Sequence, residues 1–196
     1  MNKLLAALVA TLSITAYAQN VTGAGASFPA PVYFKWAEQY KIETGNAINY
    51  QSIGSSGGIK QIDRKTVDFG ASDVARKQQE LDKMGQVQFP MVMGGVVVVV
   101  NLPGIESNQL NLTLTQVADI FSGIITNWKD VQAGLPDRSI AIVHRADGSG
   151  TTAIFTGYLS AESADFKAKI GEGKAVKWQG NTVGGKGNAG VAAMVG

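Results

Sequence analysis

Eight consecutive residues, Arg145-Ala146-Asp147-Gly148-Ser149-Gly150-Thr151-Thr152, carry the densest chemistry in the chain. An arginine sits two residues from an aspartate at the mouth of a Gly/Ser/Thr turn, with apolar runs on both sides. Glycines alone would make the turn. The added charge and hydroxyls suit an anion. A guanidinium can grip two oxygens of a tetrahedral anion at once, and Asp147 is placed to orient that fork from behind. The plainer alternative is a surface Arg–Asp pair worth no more than about 1 kcal/mol.

Two more turns share this grammar: Gly25-Ala26-Ser27-Phe28-Pro29 and Gly54-Ser55-Ser56-Gly57-Gly58. Each is expected after a strand and before a helix. The first N–H groups of a helix have no internal partner, and the helix dipole places partial positive charge there. Glycines let the backbone approach a ligand, and Ser and Thr add donors. Such an end favours a small oxyanion. Helix capping by Ser and Thr explains any one turn taken alone. Three of them, joined by Arg145, point to a shared ligand. Asp73, in "FGASD", ends a further strand, where α/β ligand sites gather. Its carboxylate would repel a fully ionised anion and attract one that still carries a proton. The alternative role is an N-cap for "VARKQQEL".

Other matches are weaker. Gly54-x-Ser56-x-Gly58 fits the nucleophile elbow of serine hydrolases, with Asp73 and His144 in the expected order. But His144 is the only histidine and lies in the apolar run "IAIVHRA". Residues 180–187, "GNTVGGKG", miss a phosphate-binding P-loop because Gly187 stands where Mg²⁺ binding needs a hydroxyl. "GAGASF" lacks the third glycine of a dinucleotide fingerprint. One histidine and no cysteine leave no transition-metal cluster, no disulfide and no site for a lipid-bearing cysteine.

The elements that must position these residues alternate. Strands are expected at "NVTGAG", "AINYQSI", "VDFGASD" and "SIAIVHRA", the last of them buried. Helices are expected at Pro31 to Thr44, "GGIKQIDRKT", "RKQQELDKMG", "LTQVADIFSG", Ser149 to Leu159, "ESADFKAKIG" and the start of "GNAGVAAMVG". Tyr33, Trp36, Ala37 and Tyr40 recur at helical spacing, and Thr113 with Gln116 fits a capping box. This order means an α/β protein with a largely parallel core. The run "VQFPMVMGGVVVVVNL" is the most apolar part of the chain after its first residues. Its five successive valines predict a strand covered on both faces, and it marks a lobe boundary: 19–86 before, 87–196 after. The last helix starts and stops without a cap, so the chain reads as cut short.

Lys3, an apolar run from Leu4 to Ile14 and Ala16-Tyr17-Ala18 make a secretory signal peptide over residues 1–18. The run is shorter than the ~18 residues of a membrane span. Removing Lys3 leaves 16 basic against 15 acidic residues. That balance argues against a nucleic-acid partner and for local groups holding any anion.

Together "TGAGASFPAPVYFKWAEQY", "IGSSGGIKQI", "VDFGASD", "RADGSGTTAIFTGYL" and "GGKGNAGVAA" resemble the periplasmic phosphate-binding proteins of Pst-type ABC transporters. The resemblance runs from about Val21 to the last residue. It implies a two-lobe periplasmic-binding-protein fold of type II kind, here incomplete at the C-terminus. It implies phosphate held between the lobes by hydrogen bonds, with neither cofactor nor metal, and passed to an inner-membrane permease with its ATPase subunits. The ligands it implies are Ser27, the Phe28 N–H, Ser55 and Asp73 from one lobe. The other lobe supplies Arg145, Ser149, the Gly150 N–H and Thr151, with Asp147 pairing the arginine. Members often have Thr where this chain has Ser27, which keeps the hydroxyl. Members also carry a further C-terminal part that returns to the first lobe, so the 196-residue form is expected to be poorly soluble or a weak binder. The rival readings are a secreted serine esterase or phosphatase using Ser56, and a receptor for another tetrahedral oxyanion such as sulfate.

Overall fold

The computed structural model describes residues 20–196. The signal-peptide segment expected at 1–18 lies outside them. Two parallel sheets organise the chain. The first has strand order β2-β1-β3, from β1 (Val21–Gly25), β2 (Ile48–Ser52) and β3 (Phe69–Ala71). The second pairs β4 (Ile142–Arg145) with β5 (Thr182–Gly185). Parallel neighbours require crossovers. Here α1 (Ala30–Thr44) and α2 (Ser55–Asp63) serve the first sheet, and α5 (Gly150–Glu162) and α6 (Ala164–Lys169) join the strands of the second. Helices α3 (Gln78–Met84), α4 (Leu114–Phe121) and α7 (Gly187–Val195) complete the set.

Local chemistry sets several boundaries. Gly45 ends α1 in a left-handed conformation, φ 77°, with its N–H on the Lys41 carbonyl. Thr113 and Gln116 close the expected capping box on α4. The apolar core lies mostly beside the second sheet. Ile120, Val131, Ile140 and Ile142 form one cluster, and Ala118, Leu159 and Phe166 another. Strand β4 is only partly buried, because β5 pairs it on one side and Val143 to Arg145 keep some exposure. The expectation of a buried strand there is corrected: only Ile142 is buried. Strand β5 escaped the sequence reading, since "TVGG" offers one β-branched pair and two glycines.

The larger correction concerns residues 86–101. They form no strand, and the apolar side chains face outward: Val87 is 87% exposed, Met93 97% and Val97 77%. A strand exists only with a neighbour to take its N–H and C=O groups. No strand among the described residues runs beside this one. Helix α1 forms as its helical spacing predicts, and it also leaves Phe34, Trp36, Tyr40 and Ile42 exposed.

Lysine at both Met93 and Val97 should therefore leave thermal stability unchanged to within about 0.5 kcal/mol and reduce binding of an apolar dye. A melting temperature lower by many degrees would show that the run is packed in solution.

Candidate functional site

Register places the candidate residues at one level. In the first sheet Gly25 is paired with both Ser52 and Ala71, so three strands end together. Ser27, Ser55 and Asp73 follow within three residues of those ends. In the second sheet Arg145 is level with Gly185. Asp147 to Thr151 follow one strand and Gly187-Asn188 the other. The ends of the two sheets face each other, as the close contacts between them show: the Ser56 N–H donates to the Gly148 carbonyl at 3.0 Å, and the Asn188 N–H to Ser27 Oγ at 3.2 Å.

Arg145 is the charge at the centre, its side chain only 5% exposed. Nε donates to Asp147 Oδ1 at 2.7 Å and Nη2 to Oδ2 at 2.5 Å. Nη1 donates to Asn188 Oδ1 at 2.7 Å. Three of its five N–H bonds are thus committed, and one remains on each terminal nitrogen. The Gly187 N–H adds a 3.0 Å bond to Asp147 Oδ1. Burial works against the Asp147 carboxylate, but the Arg145 fork, the Gly187 N–H and the Arg145 charge outweigh it and hold the group below the usual carboxylate range. The surface-pair alternative for Arg145 and Asp147 does not describe this geometry.

Asp73 faces the arginine from the first sheet. Burial raises its proton affinity above the ordinary value, while the Arg145 charge and the hydroxyls of Ser55 and Thr151 pull the other way without cancelling it. Its N–H donates to Ser55 Oγ at 3.2 Å, and Thr151 Oγ1 lies 3.5 Å from Oδ2. It does not cap a helix: α3 starts at Gln78 behind Lys77. Ser149 is fully buried and does cap, its Oγ accepting from the Thr152 N–H at 3.1 Å. Its hydroxyl proton remains available. Among the described residues the Phe28 and Gly150 N–H groups have no backbone acceptor. Space is tight around them. A Cβ on Gly150 would lie 2.5 Å from Ser55 Oγ and 2.6 Å from the Asp73 carboxylate. Gly54, at φ 81°, would drive one into Asp147.

All the candidate residues therefore gather at one place: Ser27, Ser55 and Asp73 opposite Arg145, Asp147, Ser149, Gly150 and Thr151, with Phe28 in the first turn. Three contributors were missed. The Gly187 N–H and Asn188 come from a fourth strand-to-helix turn, whose "GKGNAG" carried the same Gly/polar pattern as the other three. Tyr50 donates to the Ala26 carbonyl at 2.6 Å and pins the Ser27 turn; a tyrosine in a strand gives no such signal. The sole histidine stands apart. His144 Nδ1 lies 2.9 Å from the Arg145 carbonyl and its ring packs on Trp178. Among the described residues no group of three His, Cys, Asp or Glu could hold a metal, and no helix is long and apolar enough to cross a membrane.

A cluster of helix starts, hydroxyls and one buried cation lies at the ends of two facing parallel sheets, an arrangement chemically suited to a small oxyanion. The family model described as a PBP superfamily domain matches residues 11–195. The chain belongs to that superfamily. It is 53% identical over 199 residues to the phosphate-binding protein PstS of Pasteurella multocida, and 53% over 196 residues to that of Haemophilus influenzae. These alignments cover 98% and 95% of this chain and 58% of each relative, so the chain spans somewhat over half the length of the curated relatives it matches. Among solved structures it resembles a phosphate ABC transporter substrate-binding protein with bound phosphate from Clostridium perfringens, at 26% identity and TM-score 0.64. That match covers 90% of this chain and 66% of the other. An ABC-type phosphate transport receptor from Vibrio cholerae matches at 25% and 0.57, covering 90% and 67%. The fold is that of a periplasmic binding protein.

Because Asp147 is held below the carboxylate range, its contribution to stability is full above its unfolded value and is lost as pH falls through the lowered one. Asp147→Asn should destabilise the ligand-free chain by about 1.5–3 kcal/mol near neutral pH, with the difference shrinking steadily as the pH approaches that lowered value. Thermal melts from neutral to strongly acid pH read this directly; a pH-independent gap would contradict it.

Proposed function

We propose that this chain is a receptor, not an enzyme, that captures inorganic phosphate between two lobes, residues 19–86 and 87–196, and delivers it to an ABC importer. The observation that carries this reading is Asp73 facing Arg145 across the cleft. Hydroxyls and free N–H groups suit any oxyanion. A carboxylate among them suits one that still carries a proton, and at neutral pH phosphate keeps a proton while sulfate keeps none. The raised proton affinity of Asp73 suits it to accept that proton in a charge-assisted bond.

Each side chain then has a task. The two uncommitted N–H bonds of Arg145 grip phosphate oxygens. Asp147 holds the fork and moderates its charge. The hydroxyls of Ser27, Ser55, Ser149 and Thr151 and the N–H groups of Phe28 and Gly150 donate to the remaining lone pairs. Sulfate meets Asp73 lone pair to lone pair, and an unpaired buried contact of that kind costs more than a lost bond. The names of the relatives support phosphate as the ligand. The basic start, apolar run and small-x-small site at residues 1–18 support export to the periplasm, where an inner-membrane permease and its ATPase subunits are the partners. A hydrolase using Ser56 has less support, because no hydrogen bond among the described residues links His144 to Ser56 or Asp73.

Titration calorimetry tests the reading with phosphate and sulfate in chloride buffer, on a chain extended by the C-terminal part its relatives carry. Arg145→Ala should weaken phosphate binding by about one to two orders of magnitude; unchanged affinity would remove Arg145 from the site. Asp73→Asn, whose amide can donate as well as accept, should gain sulfate binding by at least about tenfold and keep much of its phosphate binding. Continued exclusion of sulfate would take discrimination away from Asp73. Turnover of a chromogenic phosphate or acetate ester that disappears in Ser56→Ala would favour the hydrolase.

A further inference from the structure

The turn between β5 and α7 is where three bonds of the cleft meet, although the ligand set proposed above takes nothing from it. The Gly187 N–H donates to Asp147 Oδ1 at 3.0 Å, the Asn188 N–H to Ser27 Oγ at 3.2 Å, and Asn188 Oδ1 accepts from Arg145 Nη1 at 2.7 Å. No side chain caps α7, whose N-cap is Lys186. The Asn188 amide is therefore turned away from its own helix and toward the arginine. We propose that Asn188 is a positioning residue that aims Arg145 at the anion without spending the arginine's charge. The proposal rests on the phosphate reading for its ligand, and on the geometry alone for the arginine.

Asp147 takes Nε and one N–H of Nη2, which fixes the plane of the guanidinium. It does not fix Nη1, whose two protons can exchange places by rotation about the bond to Cζ. The amide oxygen of Asn188 holds one of them and leaves the other as a donor beside the free N–H of Nη2. A neutral acceptor is the only kind that does this without electrostatic loss. Asp147 already neutralises Arg145 and Asp73 adds a further carboxylate to the cleft, so a second carboxylate on the same guanidinium would deepen the negative charge that an anion meets. The backbone of Asn188 acts on the first sheet as well. Its N–H occupies a lone pair of Ser27 Oγ, so the Ser27 proton is directed elsewhere, and a hydroxyl that accepts one bond donates the next more strongly. One residue thus orders donors from both sides of the cleft.

Asn188→Ala and Asn188→Asp separate positioning from simple structural support. Asp keeps the acceptor, faces a cation and sits in the first turn of a helix, where negative charge is stabilising. Its melting temperature should equal or exceed that of the unchanged chain. Phosphate affinity by calorimetry should nonetheless fall about a hundredfold in Asn188→Asp, through like-charge repulsion, and about tenfold in Asn188→Ala. A structural role alone makes affinity follow melting temperature in both variants. That result, or phosphate binding by Asn188→Asp equal to that of the unchanged chain, overturns the proposal. A ligand-free measurement keeps it separate from the phosphate reading. In nitrogen-15 NMR the two Nη1 protons of Arg145 should give distinct signals in the unchanged chain and in Asn188→Asp, and one averaged signal in Asn188→Ala. If the unchanged chain, extended by the C-terminal part its relatives carry, binds no phosphate, the phosphate reading falls, and these signals alone decide the role of Asn188. No change between the unchanged chain and Asn188→Ala would end it.

Discussion

A buried guanidinium must have its charge answered, and the rest of the cleft follows from that requirement. Removing a cation from water costs several kcal/mol unless close partners replace the hydration. Arg145, 5% exposed, meets the demand through a two-point bond to Asp147 and a third bond to Asn188. Asp147 in turn takes the Gly187 N–H. These partners come from the two strand-to-helix turns of one sheet, whose register sets Arg145 level with Gly185. The arrangement leaves two directed N–H bonds instead of a freely swinging charge. That is preorganisation: the orientation of the donor is settled before any anion arrives.

The opposite side of the cleft is built on a different principle. None of the described site residues on that side is a cation. They offer hydroxyls, helix starts and a carboxylate whose burial makes its ionised form less comfortable than in water. A negative group facing an anion site is a liability unless the anion brings a proton, so the same residue that weakens general anion binding can sharpen the choice among anions. The two sides meet through short polar bonds, from Ser56 to Gly148 and from Asn188 to Ser27. Polar contacts of this kind can be broken and remade, unlike an apolar core, and the apolar clusters lie away from them.

Much of the local structure was legible because its causes are local. Glycine after α1, the capping box on α4 and the Gly/Ser/Thr turns each act within one helical turn of themselves, so a short window of sequence contains the whole mechanism. The constellation of Ser27, Ser55, Asp73, Arg145 and Thr151 could be assembled from three such turns and one strand end. Helix α1 shows the limit of this reasoning: its spacing was correct, but what lies against its apolar face is not a local property.

By itself, then, the sequence determined the chemical inventory and the alternation of elements: which turns could offer donors, which residue carried the charge, and that parallel strands joined by helices would hold them. Tertiary structure decided everything that depends on a neighbour distant in the chain. The run at 86–101 has strand-forming side chains yet makes no ladder, because hydrogen-bond partners come from another segment and no composition supplies them. Strand β5, poor in β propensity, forms because β4 pairs with it. Asp73 proved not to be a helix cap, since the helix begins at Gln78, four residues beyond where that cap would start it. Asn188, 43 residues from Arg145, became its third partner only because two parallel strands of one sheet end at the same level.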